Sequence, residues 1–266
     1  MTSAGIRPPA VAGTFYPGSP RALAEAVRGY LDAAARQPAG AAAPKAVIVP
    51  HAGYIYSGPI AASAYARIAA ARDRVARVVL LGPAHRVWLR GLAAPDAIAF
   101  ATPLGEVPLD AVALERVCAL PQVSRQAEAH AFEHSLEVHL PFLQSVLGAF
   151  ALLPLVAGDA TPAEVAEVLE VAWGGPETLI VVSSDLSHYH SYESARRMDA
   201  NTACAIEALQ PGRIGHEDAC GRVPIQGLLV AAQQHGLRAT RLDPRNSGDT
   251  AGSRDAVVGY GAWSFA

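Results

Sequence analysis

The stretch Val49-Pro50-His51-Ala52-Gly53-Tyr54-Ile55-Tyr56-Ser57-Gly58 decides the fold class. The residues before it, Ala46 to Val49, are continuously apolar and are stopped by proline, with glycine close behind. A short apolar run without polar alternation, bounded by Pro and Gly, reads as a strand covered on both faces. Strands of that kind belong to the centre of an α/β sheet, where ligands sit beyond the carboxyl ends. His51 stands just past such an end. Taken alone, a histidine there is ordinarily a hydrogen-bonded loop residue, so the neighbouring segments have to decide its role.

Working outward, the pattern recurs. Arg77-Val78-Val79-Leu80-Leu81-Gly82-Pro83-Ala84-His85 is again an apolar run, a Gly-Pro stop and a histidine. Leu179 to Val182 leads into Ser183-Ser184-Asp185-Leu186-Ser187-His188. Ser247-Gly248-Asp249 precedes a last apolar strand through Val257 and Trp263. Ends of parallel strands on one sheet edge converge in space even when they are far apart in sequence, so these polar residues are expected to share a cleft. Two imidazoles and a carboxylate with positions left open suit Fe(II) and tolerate other divalent metals. A further histidine outside the metal shell can move protons, because its ordinary pKa lies near working pH.

The remaining elements support an α/β alternation. Residues 7–18 are rich in Pro and Gly and predict an ordered arm, and Ser19-Pro20 opens a helix carrying Leu23, Val27 and Leu31 on one face. A Pro/Ala/Gly-rich linker is expected at 36–44, an Ala-rich helix from Pro59 to Ala71, short hairpin strands over 90–108 and a helix over 109–118. Thr161-Pro162-Ala163-Glu164 is a capping box with proline in the first turn. Helices are predicted at 193–209 and 224–235, then a strand at 239–242 and a polar loop from Asp243 to Asp255. The segment Glu133 to Leu143 predicts a helix on which Glu133 and Glu137 share one face; His134 and His139, five apart, do not, which excludes a two-histidine zinc helix. No repeat and no sustained polar linker breaks the chain, so one domain over 1–266 is expected.

Composition narrows the function classes. Half of the 266 residues are hydrophobic (51%), enough for a large core, and the net charge of −3 with no Lys/Arg run excludes nucleic acid as a main partner. No apolar run approaches a bilayer span, so no membrane segment is expected, and residues 1–10 lack the basic start and apolar core of a secretory leader. The three cysteines, Cys118, Cys204 and Cys220, have no C-x-x-C spacing, which argues for a reduced, cytoplasmic setting and for buried, small apolar roles.

Six blocks carry a resemblance: AGTFYPG (12–18), VPHAGYIYSG (49–58), LLGPAHR (80–86), EHSLEVHLPFLQ (133–144), SSDLSHY (183–189) and NSGDTAGSRDAVVGYGAW (246–263). In content and order the chain resembles the Memo family, whose microbial members are the B component of the AMMECR–Memo–radical-SAM system. The resemblance implies a single-domain, three-layer α/β fold with a mostly parallel central sheet, similar to class III extradiol dioxygenase subunits. It implies that His51 and His85 are metal ligands, that His188 is the acid/base with Asp185 beside it, and that Asp249 supplies the third, carboxylate ligand. The implied cofactor is a divalent transition metal, Fe(II) first, with Zn(II) or Cu as alternatives. The implied activity is that of a non-haem iron oxidoreductase resembling dioxygenases. A non-catalytic alternative is a peptide- or phosphopeptide-binding module, or a partner of AMMECR-type and radical-SAM proteins. A homodimer is left open.

Overall fold

A computed structural model describes residues 5–35 and 43–266. The expected linker at 36–44 therefore lies mostly outside the described residues. The strands are β1 (Gly5–Arg7), β2 (Ala46–Val49), β3 (Arg77–Pro83), β4 (Leu92–Ala94), β5 (Ala97–Thr102), β6 (Gly105–Pro108), β7 (Val123–Arg125), β8 (Ala151–Ala157), β9 (Thr178–Ser183), β10 (His188–His190), β11 (Ala239–Asn246) and β12 (Val257–Phe265). The α-helices are α1 (Pro20–Ala35), α2 (Tyr54–Ile68), α3 (Ala111–Cys118), α4 (Ala127–Ala131), α5 (Leu140–Val146), α6 (Pro162–Ala172), α7 (Tyr192–Glu207) and α8 (Arg222–Gln234).

The large sheet runs β10-β12-β2-β9-β3-β8-β4-β7, with β11 also paired to β12. Its centre, β2, β9, β3 and β8, is parallel throughout. Antiparallel β12 and β4 flank that centre, so the sheet is mixed, with the parallel part where the histidines lie. A small sheet, β1-β5-β6, stands apart.

Side chains alternate across a strand, and the core divides accordingly. Val47, Val49, Leu80 and Val181 pack with α1, α2 and α5 on one side; Ile48, Leu81, Val182 and Leu155 pack with α3, α6, α7 and α8 on the other. Three layers result. The all-apolar runs of β2, β3 and β9 follow from this double burial.

Most local expectations hold. Thr161 and Glu164 form the reciprocal capping box, Glu164 N donating to Thr161 Oγ1 at 3.2 Å and Thr161 N to Glu164 Oε2 at 2.7 Å. Gly236 ends the turn after α8 at φ +66°. Three expectations need correction. Helix α2 starts at Tyr54 and carries Pro59 inside it; just before that proline the helix packs so closely that a Cβ on Gly58 would lie 2.9 Å from the Tyr30 ring. Strand β11 runs to Asn246 because it pairs with β12 over its whole length, and Pro244 is tolerated on this outer strand. The segment from Glu133 is not one helix: a bend over 133–136 is followed by a 3-10 turn, Glu137–His139, and only then by α5. Proline at 141 belongs in a first turn, and the Glu133 carboxylate captures the nearby N–H groups of His134 and Ser135, both at 2.9 Å.

Candidate metal centre

Three adjacent strand ends deliver polar residues to one edge. His51 follows β2, Asp185 follows β9 and His85 follows β3, each two residues past its strand. The strand order β2-β9-β3 sets the three side by side. The bend before the 3-10 turn adds His134. One ligand atom from each of His51, His85 and His134 lies within 4.8 Å of the others, and the three could hold a metal ion. The rings of His85 and His134 stack at 4.6 Å, and His51 stands edge-on to both, at 5.1 and 5.4 Å.

Hydrogen bonds fix which nitrogens are available. The Ser183 hydroxyl has one proton, and it goes to the Ser135 carbonyl at 2.6 Å. His51 Nδ1, 2.6 Å away, and His139 Nε2, 2.8 Å away, must therefore donate to Ser183 Oγ. His51 thus presents a lone pair at Nε2. His85 Nδ1 lies 2.9 Å from Glu133 Oε1, an acceptor, so His85 also presents Nε2. A carboxylate behind a ligating imidazole is the usual means of fixing tautomer and ring orientation at metal sites. His134 Nδ1 is buried and lacks a hydrogen-bond partner among the described residues.

Electrostatics favour the ligating forms. Burial, and then the neighbouring His85 and His134, hold His51 well below the ordinary histidine range. Burial and His85 bring His134 down to about 4, with Glu133 opposing. Both are neutral at pH 7, the form that binds metal. Burial pushes Glu133 up, but the hydrogen bond and charge of His85 and the N–H groups of His85 and Ser135 outweigh it, and the carboxyl falls to about 2.

Asp185 is buried, accepts the His51 N–H at 2.8 Å, and is raised to about 6, chiefly by burial. His188 donates Nδ1–H to the Leu186 carbonyl at 2.7 Å, which leaves its Nε2 as an acceptor. Asp249 is not one of the three grouped residues. It is exposed, and its carboxylate accepts from Tyr192 Oη at 2.6 Å and from Asn246 N at 3.1 Å.

Two residues were missed in the sequence. The sequence pattern places His134 on a helix, and its position next to Glu133, the structural partner of His85, is the signal it carries. Cys220 had been expected as a buried apolar filler; its Sγ instead lies 3.4 Å from His51 Nε2 and 3.3 Å from Asp185 N. Burial, then Asp185, pushes this thiol up to about 12. Cys204 is exposed, so the common apolar role fails there too, whereas half-buried Cys118 packs against the core as expected.

The Memo-like protein family matches residues 7–264. A MEMO1 family protein of Aquifex aeolicus (strain VF5) is 36% identical over 270 residues, covering 96% of this chain and 97% of the relative. One from Aeropyrum pernix is 37% identical over 280 residues, covering 97% and 98%. One from Methanosarcina acetivorans is 36% identical over 277 residues, covering 97% and 98%. Among the described residues, no helix is long and apolar enough to cross a membrane.

Proposed function

Since the chain belongs to the Memo-like family, and since three imidazoles meet at its central strand ends, we propose that it is a metal-dependent oxidoreductase with Fe(II) as its working ion. The observation that carries this reading is the grouping of His51, His85 and His134 within 4.8 Å. The donor set fits a divalent transition metal: two lone pairs aimed by tautomer, a third imidazole with an orphaned nitrogen, and a carboxylate in the supporting position. His51, His85 and His134 would hold the ion, with Cys220 Sγ as a neighbouring donor. Asp249, whose carboxylate accepts from Tyr192 and Asn246, is the competing third ligand.

Bound iron supplies Lewis acidity and one-electron chemistry with dioxygen. The chain's own residues do the rest. Ser183 holds the His51 ring, and Glu133 holds the His85 ring. His188 takes a proton from substrate at its free Nε2, because its Nδ1 is committed to Leu186. Asp185, raised to about 6, holds the His51 backbone and stands ready as a second proton carrier.

The test is elemental analysis of protein purified without oxygen. One equivalent of iron is expected in wild type, little in His51→Ala/His85→Ala, little in His134→Ala, and wild-type content in Asp249→Ala. Metal-free wild type, or a double variant with undiminished metal, rejects the centre; loss of metal in Asp249→Ala with retention in His134→Ala restores the carboxylate set. Oxygen uptake with a catechol panel then tests the dioxygenase class, and His188→Gln should slow turnover at unchanged metal content.

A further inference from the structure

A cavity of about 450 Å³ opens beside the histidine group. Cys220, which touches His51 Nε2, forms part of its wall, and Pro83 and Ala84, directly before His85, form another part. The cavity therefore adjoins the histidine group through Cys220 and Ala84, and none of the three histidines lines it. Its opposite walls are Trp88 and Leu89 on one side and Arg222 and Val223, the first residues of α8, on the other.

The loop that carries Trp88 is tethered. Leu89 is buried, its carbonyl accepts from Asp159 N at 2.9 Å, and a Cβ on Gly158 would lie 2.2 Å from that carbonyl. Trp88 between these fixed points is nonetheless 82% exposed. A large apolar ring held open at a cavity rim has apolar surface to cover, and Leu89 and Val223 continue that surface inward.

Arg222 is the second observation. It is half-buried in the same wall, and its guanidinium makes no side-chain hydrogen bond or ion pair among the described residues. By contrast, Arg7, Arg77, Arg90, Arg125, Arg241 and Arg245 each pair with a carboxylate. An uncommitted, partly desolvated guanidinium offers a planar fork to a carboxylate. Asp159 and His216 line the same cavity; His216 already faces Glu217 at 3.2 Å, which leaves Arg222 as the uncommitted cation and Asp159 to disfavour a second negative charge.

We infer that this cavity takes a molecule with an apolar, ring-sized body and a single carboxylate, anchored by Arg222 and covered by Trp88. Resting on the metal-centre reading, it makes such a carboxylate the substrate class, with the far end of the molecule lying against Cys220, the neighbour of His51.

The test is isothermal titration of the full chain, metal content measured in parallel, with benzoate, benzamide and phenyl phosphate as probes. Benzoate should bind at least about tenfold more tightly than the isosteric neutral amide. Arg222→Gln should remove that preference at unchanged metal content, and Trp88→Ala should weaken both probes alike. Equal binding of benzoate and benzamide, or an Arg222→Gln variant that keeps the preference, overturns the inference; tighter binding of phenyl phosphate overturns the monocarboxylate assignment. In wild type, benzoate should shift the Trp88 indole N–H resonance, assigned with Trp88→Phe, and an unmoved resonance also overturns it. Wild type without metal but with Arg222-dependent benzoate binding rejects the metal-centre reading alone. Bound metal with Arg222-independent binding rejects this inference alone.

Discussion

Glu133 is buried next to His85 and stays ionised because four N–H groups converge on it: His85 Nδ1, and the backbone of His85, His134 and Ser135. An amide in its place would turn an NH2 toward some of these donors. Glu133→Gln should therefore lower metal affinity by about 10- to 100-fold, the usual range for a supporting residue behind a ligating histidine, as read by competition with a chelator. His130 shows the acid side of the same chemistry away from the strand ends. Its Nε2 lies 2.9 Å from the Ala93 carbonyl, and burial lowers it to about 4. In the unfolded chain an ordinary histidine binds a proton below about 6.5, and in the fold this one does so only near 4. Between those values the unfolded state holds more protons, so stability falls as pH falls through that window, by about 3 kcal/mol in all. His130→Gln should flatten the slope of unfolding free energy between pH 6.5 and 4 by about one proton, measured by urea denaturation at several pH values.

The elements show what a single sequence reveals. Runs such as Val78 to Leu81 announce doubly covered strands through composition alone, so β2, β3 and β9 and the polar residues past them were legible. Where tertiary contacts override a local signal, legibility ends. Proline at 59 reads as a helix start, yet α2 begins five residues earlier because Tyr54 to Gly58 gains packing against α1. The 133–143 segment has helical spacing, yet the Glu133 side chain replaces backbone partners there, and that choice depends on His85, 48 residues away. Cys220 reaches His51 only through the placement of α8, which no local pattern encodes. The junction between β3 and the bend is testable through Gly82, where a Cβ would lie 2.7 Å from Ser135 Oγ and 2.9 Å from Leu136 Cδ2. Gly82→Ala should push the His134-bearing bend outward, costing about 1–3 kcal/mol by overpacking and lowering metal stoichiometry together with the melting temperature. Full metal uptake at wild-type stability would show that the bend is not held by this contact.

At the scale of the whole molecule, the amino-terminal arm locks the layer that carries the bend. Glu137, fully buried, accepts from Arg7 Nη1 at 2.7 Å, Ala10 N at 2.7 Å, Val11 N at 2.9 Å and Tyr16 Oη at 2.6 Å. Arg7 also donates to the carbonyls of His130 and Glu133, each at 2.6 Å. One ion pair thus ties residues 7–16 to both ends of the segment holding Glu133 and His134, and the arm also touches the candidate metal centre where Phe15 packs on the His134 ring at 4.8 Å. Removing one partner of such a pair leaves a buried charge uncompensated, and Glu137→Gln should cost about 3–5 kcal/mol. Adding Arg7→Met should recover part of that loss, because the stranded guanidinium goes with it. Urea denaturation of the two single variants and the double variant measures the coupling. A positive coupling, with metal affinity falling in Glu137→Gln, is expected; additive losses would mean that the arm is held by its apolar contacts, Val11 and Tyr16, and that the ion pair serves the bend only through its backbone hydrogen bonds.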